Sequence, residues 1–147
     1  MIRQALAGFE KSGARVGNTD VLTRLAEAQV LDGATDEALD TMELALKENP
    51  EELVFRPNTL RYRGTLRLKV GQSELAEADF LDAITMAQRM SAKAWKLRAT
   101  MSMARLWRDQ GKRQQAHDLL APVYGSFTEG FDTPVLQDAK ALLDQLA

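Results

Sequence analysis

Apolar and small side chains recur along this chain at the spacing of helices. Leu22, Leu25 and Gln29 follow one another at three- and four-residue steps, as do Leu60, Gly64 and Leu68, and then Trp95, Ala99, Met103 and Trp107. Each set marks one face of a helix, because residues three or four apart lie above one another on its surface. The pattern predicts first helices near 19–32, 57–70 and 92–110, each followed by a second helix near 35–48, 73–90 and 112–124. No segment alternates as a strand would.

The three pairs share a register. Aligned on Gly33, Gly71 and Gly111, the chain has Ala26, Gly64 and Ala104 seven places earlier, and Ala38, Ala76 and Ala116 five places later. Twelve places after each glycine stand Ala45, Ala83 and Val123, so eight of these nine positions are Ala or Gly. Nine places after come Met42, Phe80 and Leu120, large side chains suited to the space beside small contacts. Small contact residues let two helices approach closely, and a glycine accepts the left-handed backbone that ends the first helix and reverses the chain. The expectation is one helix hairpin used three times, within a single domain spanning 1–147: a half hairpin at 1–13, repeats at about 18–50, 51–90 and 91–125, and a capping helix at about 133–147.

The ends fit the same scheme. Ile2, Ala5, Leu6 and Phe9 share a face in a segment that stops at Gly13, as the second helix of a hairpin would. At the other end Asp132 or Thr133 can cap a helix that begins at Pro134 and carries Leu136, Ala139, Leu142, Leu143 and Leu146 as a stripe. A stack of hairpins needs such a helix to cover its last apolar face.

Composition narrows the chemistry. The chain has 147 residues, a formal charge of −2 and no cysteine, which removes disulfides, thiolate nucleophiles and cysteine-bound metals. A balanced charge argues against nucleic acid as a partner, and any basic site must be a local face. No signal-like or membrane-spanning run is present, so a soluble cytoplasmic protein is expected.

The small-residue pattern with its glycine turns resembles the tetratricopeptide repeat, whose period is about 34 residues. Pro50 falls where that family commonly ends a repeat, although the spacings here are 38 and 40 residues and only Trp107, against Gln29 and Arg67, supplies the aromatic at its position. The resemblance implies an all-α, right-handed superhelix of antiparallel hairpins with a C-terminal capping helix. From Lys93 onward the chain also resembles the C-terminal end of bacterial multidomain signalling proteins, in which a cyclase or DNA-binding output domain is joined to an ATPase module and a tetratricopeptide tail. The words that carry this are MARLW (103–107), LLAPVYG (119–125) and FTEGFDTP (127–134). Nothing in the chain matches the upstream domains, so the resemblance implies a sensory or scaffolding tail without cyclase or ATPase activity.

Each candidate site in the chain also has a plain structural reading. GFEKSGAR (8–15) has the glycine spacing of a phosphate loop but lacks its lysine and hydroxyl, and reads as a helix end. His117 is the only histidine and has no partners for a triad or zinc site, so it reads as a surface residue. The carboxylate pairs Asp36/Asp40, Glu74/Glu77 and Asp79/Asp82 read as solvated faces of second helices. Trp95, Trp107, Tyr124, Phe127 and Phe131 read as packing residues. No catalytic, cofactor or metal site is expected.

The resemblance further implies that first helices line a concave groove. Asp20, Thr23 and Glu27 would then face it from the first repeat, Asn58, Arg61 and Thr65 from the second, and Arg98, Met101, Arg105 and Arg108 from the third. The third repeat is basic. The expected function is a non-catalytic protein-interaction module, with Arg61, Arg98, Arg105 and Arg108 as partner-binding residues for an acidic peptide or protein. The alternative is a small-molecule-sensing domain, which requires a closed, aromatic-lined pocket. An enzyme lacks any assembled acid, base, nucleophile or metal set. The apolar face of Ile2, Leu6 and Phe9 predicts self-association into a homodimer.

Overall fold

The computed structural model describes residues 18–48 and 56–147. Within them the chain is all-α: α1 (Asn18–Leu31), α2 (Thr35–Glu48), α3 (Arg56–Lys69), α4 (Ser73–Arg89), α5 (Lys93–Asp109), α6 (Arg113–Gly125) and α7 (Pro134–Leu146). The described residues contain no strand, and none of their helices is long and apolar enough to cross a membrane. The half hairpin at 1–13 with Ile2, Leu6 and Phe9, the GFEKSGAR segment and the Pro50 boundary lie outside the described residues.

Helix ends follow from backbone chemistry. At Gly33, Gly71 and Gly111 the backbone takes φ of 80°, 81° and 81°, where a side chain would be strained. Each glycine N–H donates to the carbonyl three residues back, and the next N–H to the carbonyl five back: Gly111 to Arg108 at 3.0 Å and Lys112 to Trp107 at 2.8 Å, for example. This double closure satisfies carbonyls that the helix leaves orphaned. The turn from α4 to α5 closes the same way, Ser91 donating to Gln88 at 3.1 Å and Ala92 to Ala87 at 2.9 Å. Here a serine at φ 55° holds the left-handed place. Sequence pattern missed it because no glycine marks the turn.

The chain divides into two compact units, Met1–Ala76 and Glu77–Ala147, with the division falling inside α4. In the first unit α1 packs on α2, and both pack on α3. Among its described residues one apolar cluster joins buried Ala26, Ala38, Met42 and Leu66, with Val30, Leu39 and Tyr62 against them. Polar pairs are buried beside it. Thr41 Oγ1 donates to Gln29 Oε1 at 2.6 Å, and the hydroxyls of Thr23 and Thr59 lie 3.4 Å apart. On the surface Glu43 of α2 accepts from two guanidinium groups of α3, Arg63 at 3.1 Å and Arg67 at 3.2 Å.

The second unit packs α5 on α6, with α7 against both. Its core joins Leu97, Met101 and Ala104 of α5 to Ala116, Leu120 and Val123 of α6 and to Leu136, Ala139, Leu142 and Leu146 of α7. Trp107, Tyr124 and Phe127 are partly buried against it, while Phe131 stays exposed with its ring 5.8 Å from that of Tyr124. Thr133 precedes Pro134 at the start of α7, as the sequence indicates, but its hydroxyl turns back to the Gly130 carbonyl at 2.6 Å and makes no cap.

All twelve register positions are buried, the most exposed being Val123 at 9%. Small residues seven before, five after and twelve after each glycine therefore lie inside, with Met42, Phe80 and Leu120 beside them.

Three residues expected at the surface are buried. Asp79, expected on a solvated face with Asp82, is 2% exposed and partnered, while Asp82 is open to solvent. The period of α4 explains this: Asp79 is three residues after Ala76 and four before Ala83, on the face those alanines bury. Thr23 and Met101, expected to face a groove, are 5% and 3% exposed. Met101 lies four residues after Leu97 and three before Ala104 and belongs to the core with them.

Candidate interaction surface on α5

Helix α5 carries five basic residues, Lys93, Lys96, Arg98, Arg105 and Arg108, against one acidic residue, Asp109 at its end. Its inner face is apolar and its outer face holds the charge, so folding the core places the guanidinium groups outward. Arg98 and Arg105 are exposed. Seven residues apart, they sit two turns along the same face, about 10 Å from each other by helical rise.

The four arginines singled out in sequence separate by what they touch. Arg108 is half-buried and engaged: Nη1 donates to Gln145 Oε1 at 2.8 Å and Nε to Asp109 Oδ1 at 3.1 Å. Arg113 also donates to the Gln145 carbonyl. Both cations thus bind the C-terminal end of α7, where helix carbonyls concentrate negative charge. Arg108 fastens α5 to α7, a structural use of its fork.

Arg61 belongs to the first unit, where Nη2 and Nε donate to Asn58 Oδ1 at 2.9 and 3.3 Å. Its neighbour Tyr62 has its hydroxyl pKa pushed above the ordinary value of 10.0, first by burial and then by the Glu27 carboxylate, with Arg61 pulling the other way. Glu27 itself is exposed, and Thr65 donates to the Arg61 carbonyl at 3.1 Å. The Asp20 side chain lies outside the described residues.

Arg98 and Arg105 differ from both. Among the described residues neither makes an ion pair or a side-chain hydrogen bond. Arg98 instead lies over the half-buried Trp95, its Cζ 5.9 Å from the ring centroid, within cation–π reach. The i, i+3 spacing of Trp95 and Arg98 is the signal that could have found this pair in sequence. Between the arginines, the Ser102 hydroxyl is occupied by the Arg98 carbonyl at 3.2 Å.

The second tryptophan has another role. Trp107 Nε1 donates to Glu77 Oε1 at 3.0 Å while its ring packs on the core, so its polar edge is satisfied inside the fold. His117 Nδ1 lies 3.6 Å from Asp118 Oδ1, with its side chain 38% exposed. Among the described residues no three His, Cys, Asp or Glu side chains gather as a metal site would.

A cleft of about 230 Å³ opens beside the start of α5, with Lys93, Lys96, Ser91 and Val123 among its walls. Lys93 Nζ spans to the Ser126 carbonyl at 3.3 Å. No aromatic residue lines this cleft. No protein-family model and no curated protein matches this chain.

Proposed function

We propose that this chain is a non-catalytic protein-interaction module, a tetratricopeptide-like superhelix that presents its first helices to an acidic peptide or protein. In the setting implied by its C-terminal resemblance, it serves as a regulatory or scaffolding tail of a bacterial signalling protein. The buried register of small residues supports the repeat reading, since the same positions are buried around each of the three glycines.

One observation carries the functional part: the exposed guanidinium groups of Arg98 and Arg105, unpaired among the described residues, stand on a helix whose other long cations are already engaged or line a cleft. Arginine forks recognise carboxylates through paired, charge-assisted hydrogen bonds, so an acidic segment is the matching partner. Long-range attraction to this face is screened by salt. Binding of glutamate-rich and lysine-rich peptides of equal length, compared at low and high salt, tests the reading. Preference for the acidic peptide, lost on replacing Arg98 and Arg105 with alanine, is the expected outcome. Equal binding of both peptides overturns it.

A further inference from the structure

Accepting the acidic partner proposed above, we infer that it binds α5 as an extended, polyproline II-like segment with carboxylates at positions i and i+3, and that Trp95 is the positioning residue that orders Arg98 for the first of them. The inference rests on that reading and specifies the shape of the partner.

Three features of the helix lead to it. Its exposed face has only two open guanidinium groups, because Arg108 is held by Gln145 and Asp109. Their separation of about 10 Å along the helix sets the spacing of any carboxylate pair that engages both. The strip between them offers a carboxylate no free hydroxyl hydrogen, since Ser102 donates its own to the Arg98 carbonyl, and Met101 is 3% exposed.

Partner geometries can be compared against that spacing. A polyproline II segment repeats every three residues with a rise of about 3.1 Å, so side chains at i and i+3 project to the same side about 9 Å apart. A β-strand puts i and i+2 on one side at only about 7 Å, and i and i+3 on opposite sides. A helix with acids at i and i+7 would match the distance, but helices dock through an apolar stripe. Among the described residues the large exposed apolar side chains are Leu31, Val70, Leu75, Leu81 and Phe131, and none lies on α5. Extended recognition by charge is the mode this face suits.

Trp95 makes the two arginines unequal. A guanidinium resting on an aromatic face loses fewer conformations on binding than a free one, and stacking leaves its N–H edge open to a carboxylate. Arg98 is therefore the anchor and Arg105 the second contact.

The test uses the full chain and two peptides of one composition. In SPEPPEPS the glutamates stand at i and i+3; in SPPEEPPS they are adjacent. Titration calorimetry at low ionic strength should favour the spaced peptide by about three- to fivefold, the scale of one exposed ion pair gained. Arg105→Ala should erase that preference, and Arg98→Ala should weaken both peptides. Trp95→Ala should weaken the spaced peptide in wild type and have no further effect once Arg98 is alanine. A fold-neutral control is the unchanged helical circular dichroism of each variant. Equal affinity of the two acidic peptides, or additive losses from Trp95→Ala and Arg98→Ala, overturns the inference. If SPKPPKPS binds as well as SPEPPEPS, the acidic-partner reading fails instead, which separates the two results.

Discussion

The first and third hairpins share a register and differ in what stands at one depth within it. Four residues before the turn glycine and eight after it, the first hairpin has Gln29 and Thr41, joined by a 2.6 Å hydrogen bond between side chains 2% and 5% exposed. The third has Trp107 and Leu119 at those positions, with the tryptophan ring against the core and its N–H given to Glu77. Around them, among the described residues, the first unit has a buried apolar cluster of Ala26, Ala38, Met42 and Leu66, and the second a longer one reaching from Leu97 to Leu146. The small residues that let helices approach are common to both. What differs is whether the neighbouring space is filled by a satisfied polar pair or by apolar bulk, and this teaches that the register fixes the hairpin while the filling sets its stability.

Truncation of the large register residue is the strongest test of that distinction. Leu120→Ala in the third hairpin and Met42→Ala in the first both empty a site at 0% exposure, and each should cost about 2–5 kcal/mol in urea unfolding. The loss should be larger for Leu120, whose cluster is the larger among the described residues. A larger loss for Met42 would break the comparison.

The polar pair predicts a different signature. Thr41→Val leaves the Gln29 amide oxygen buried without its hydroxyl donor and should destabilise by about 1–3 kcal/mol. Combining it with Gln29→Leu should recover much of that loss, because neither partner is then left unsatisfied. A double-mutant cycle showing simple additivity would mean that the pair is not a unit.

The turns should behave alike in both hairpins. A Cβ built at Gly33 or Gly111 would meet nothing within 4 Å, so Gly→Ala at either place carries only the left-handed backbone penalty, about 1 kcal/mol. Ser91, already left-handed, should show the reverse: Ser91→Gly should raise the melting temperature by a similar free energy. Unequal losses at Gly33 and Gly111 would show that the two turns are not equivalent.

The smallest effect concerns alkaline pH and belongs to the first unit alone. Burial and Glu27 raise the Tyr62 pKa above its unfolded value of 10.0, so the folded state holds that proton more tightly than the unfolded state. This contribution is fully present below about pH 10 and is lost as pH rises through the folded pKa. Stability measured across that range should fall less steeply in Tyr62→Phe than in wild type. Identical slopes would remove Tyr62 from the account.

Elements and turns were legible in sequence because they are set locally. Helical period, small residues at fixed distance and a glycine where φ is positive each act over a few residues, and the helix bounds follow them to within one position. The pool of candidate binding residues was legible too, since arginines seven apart on a helix must share a face. Their condition was not. Arg98 and Arg105 remain open, whereas Arg108 is taken by Gln145, which lies 37 residues further along the chain. Asp79 and Met101, by contrast, turn inward as helical period alone requires, three or four residues from buried neighbours. Sequence determined which residues form helices and where those helices reverse, because these are short-range preferences of the backbone. Tertiary structure decided which charges are spent within the fold and which face outward, because that depends on side chains brought together from distant positions.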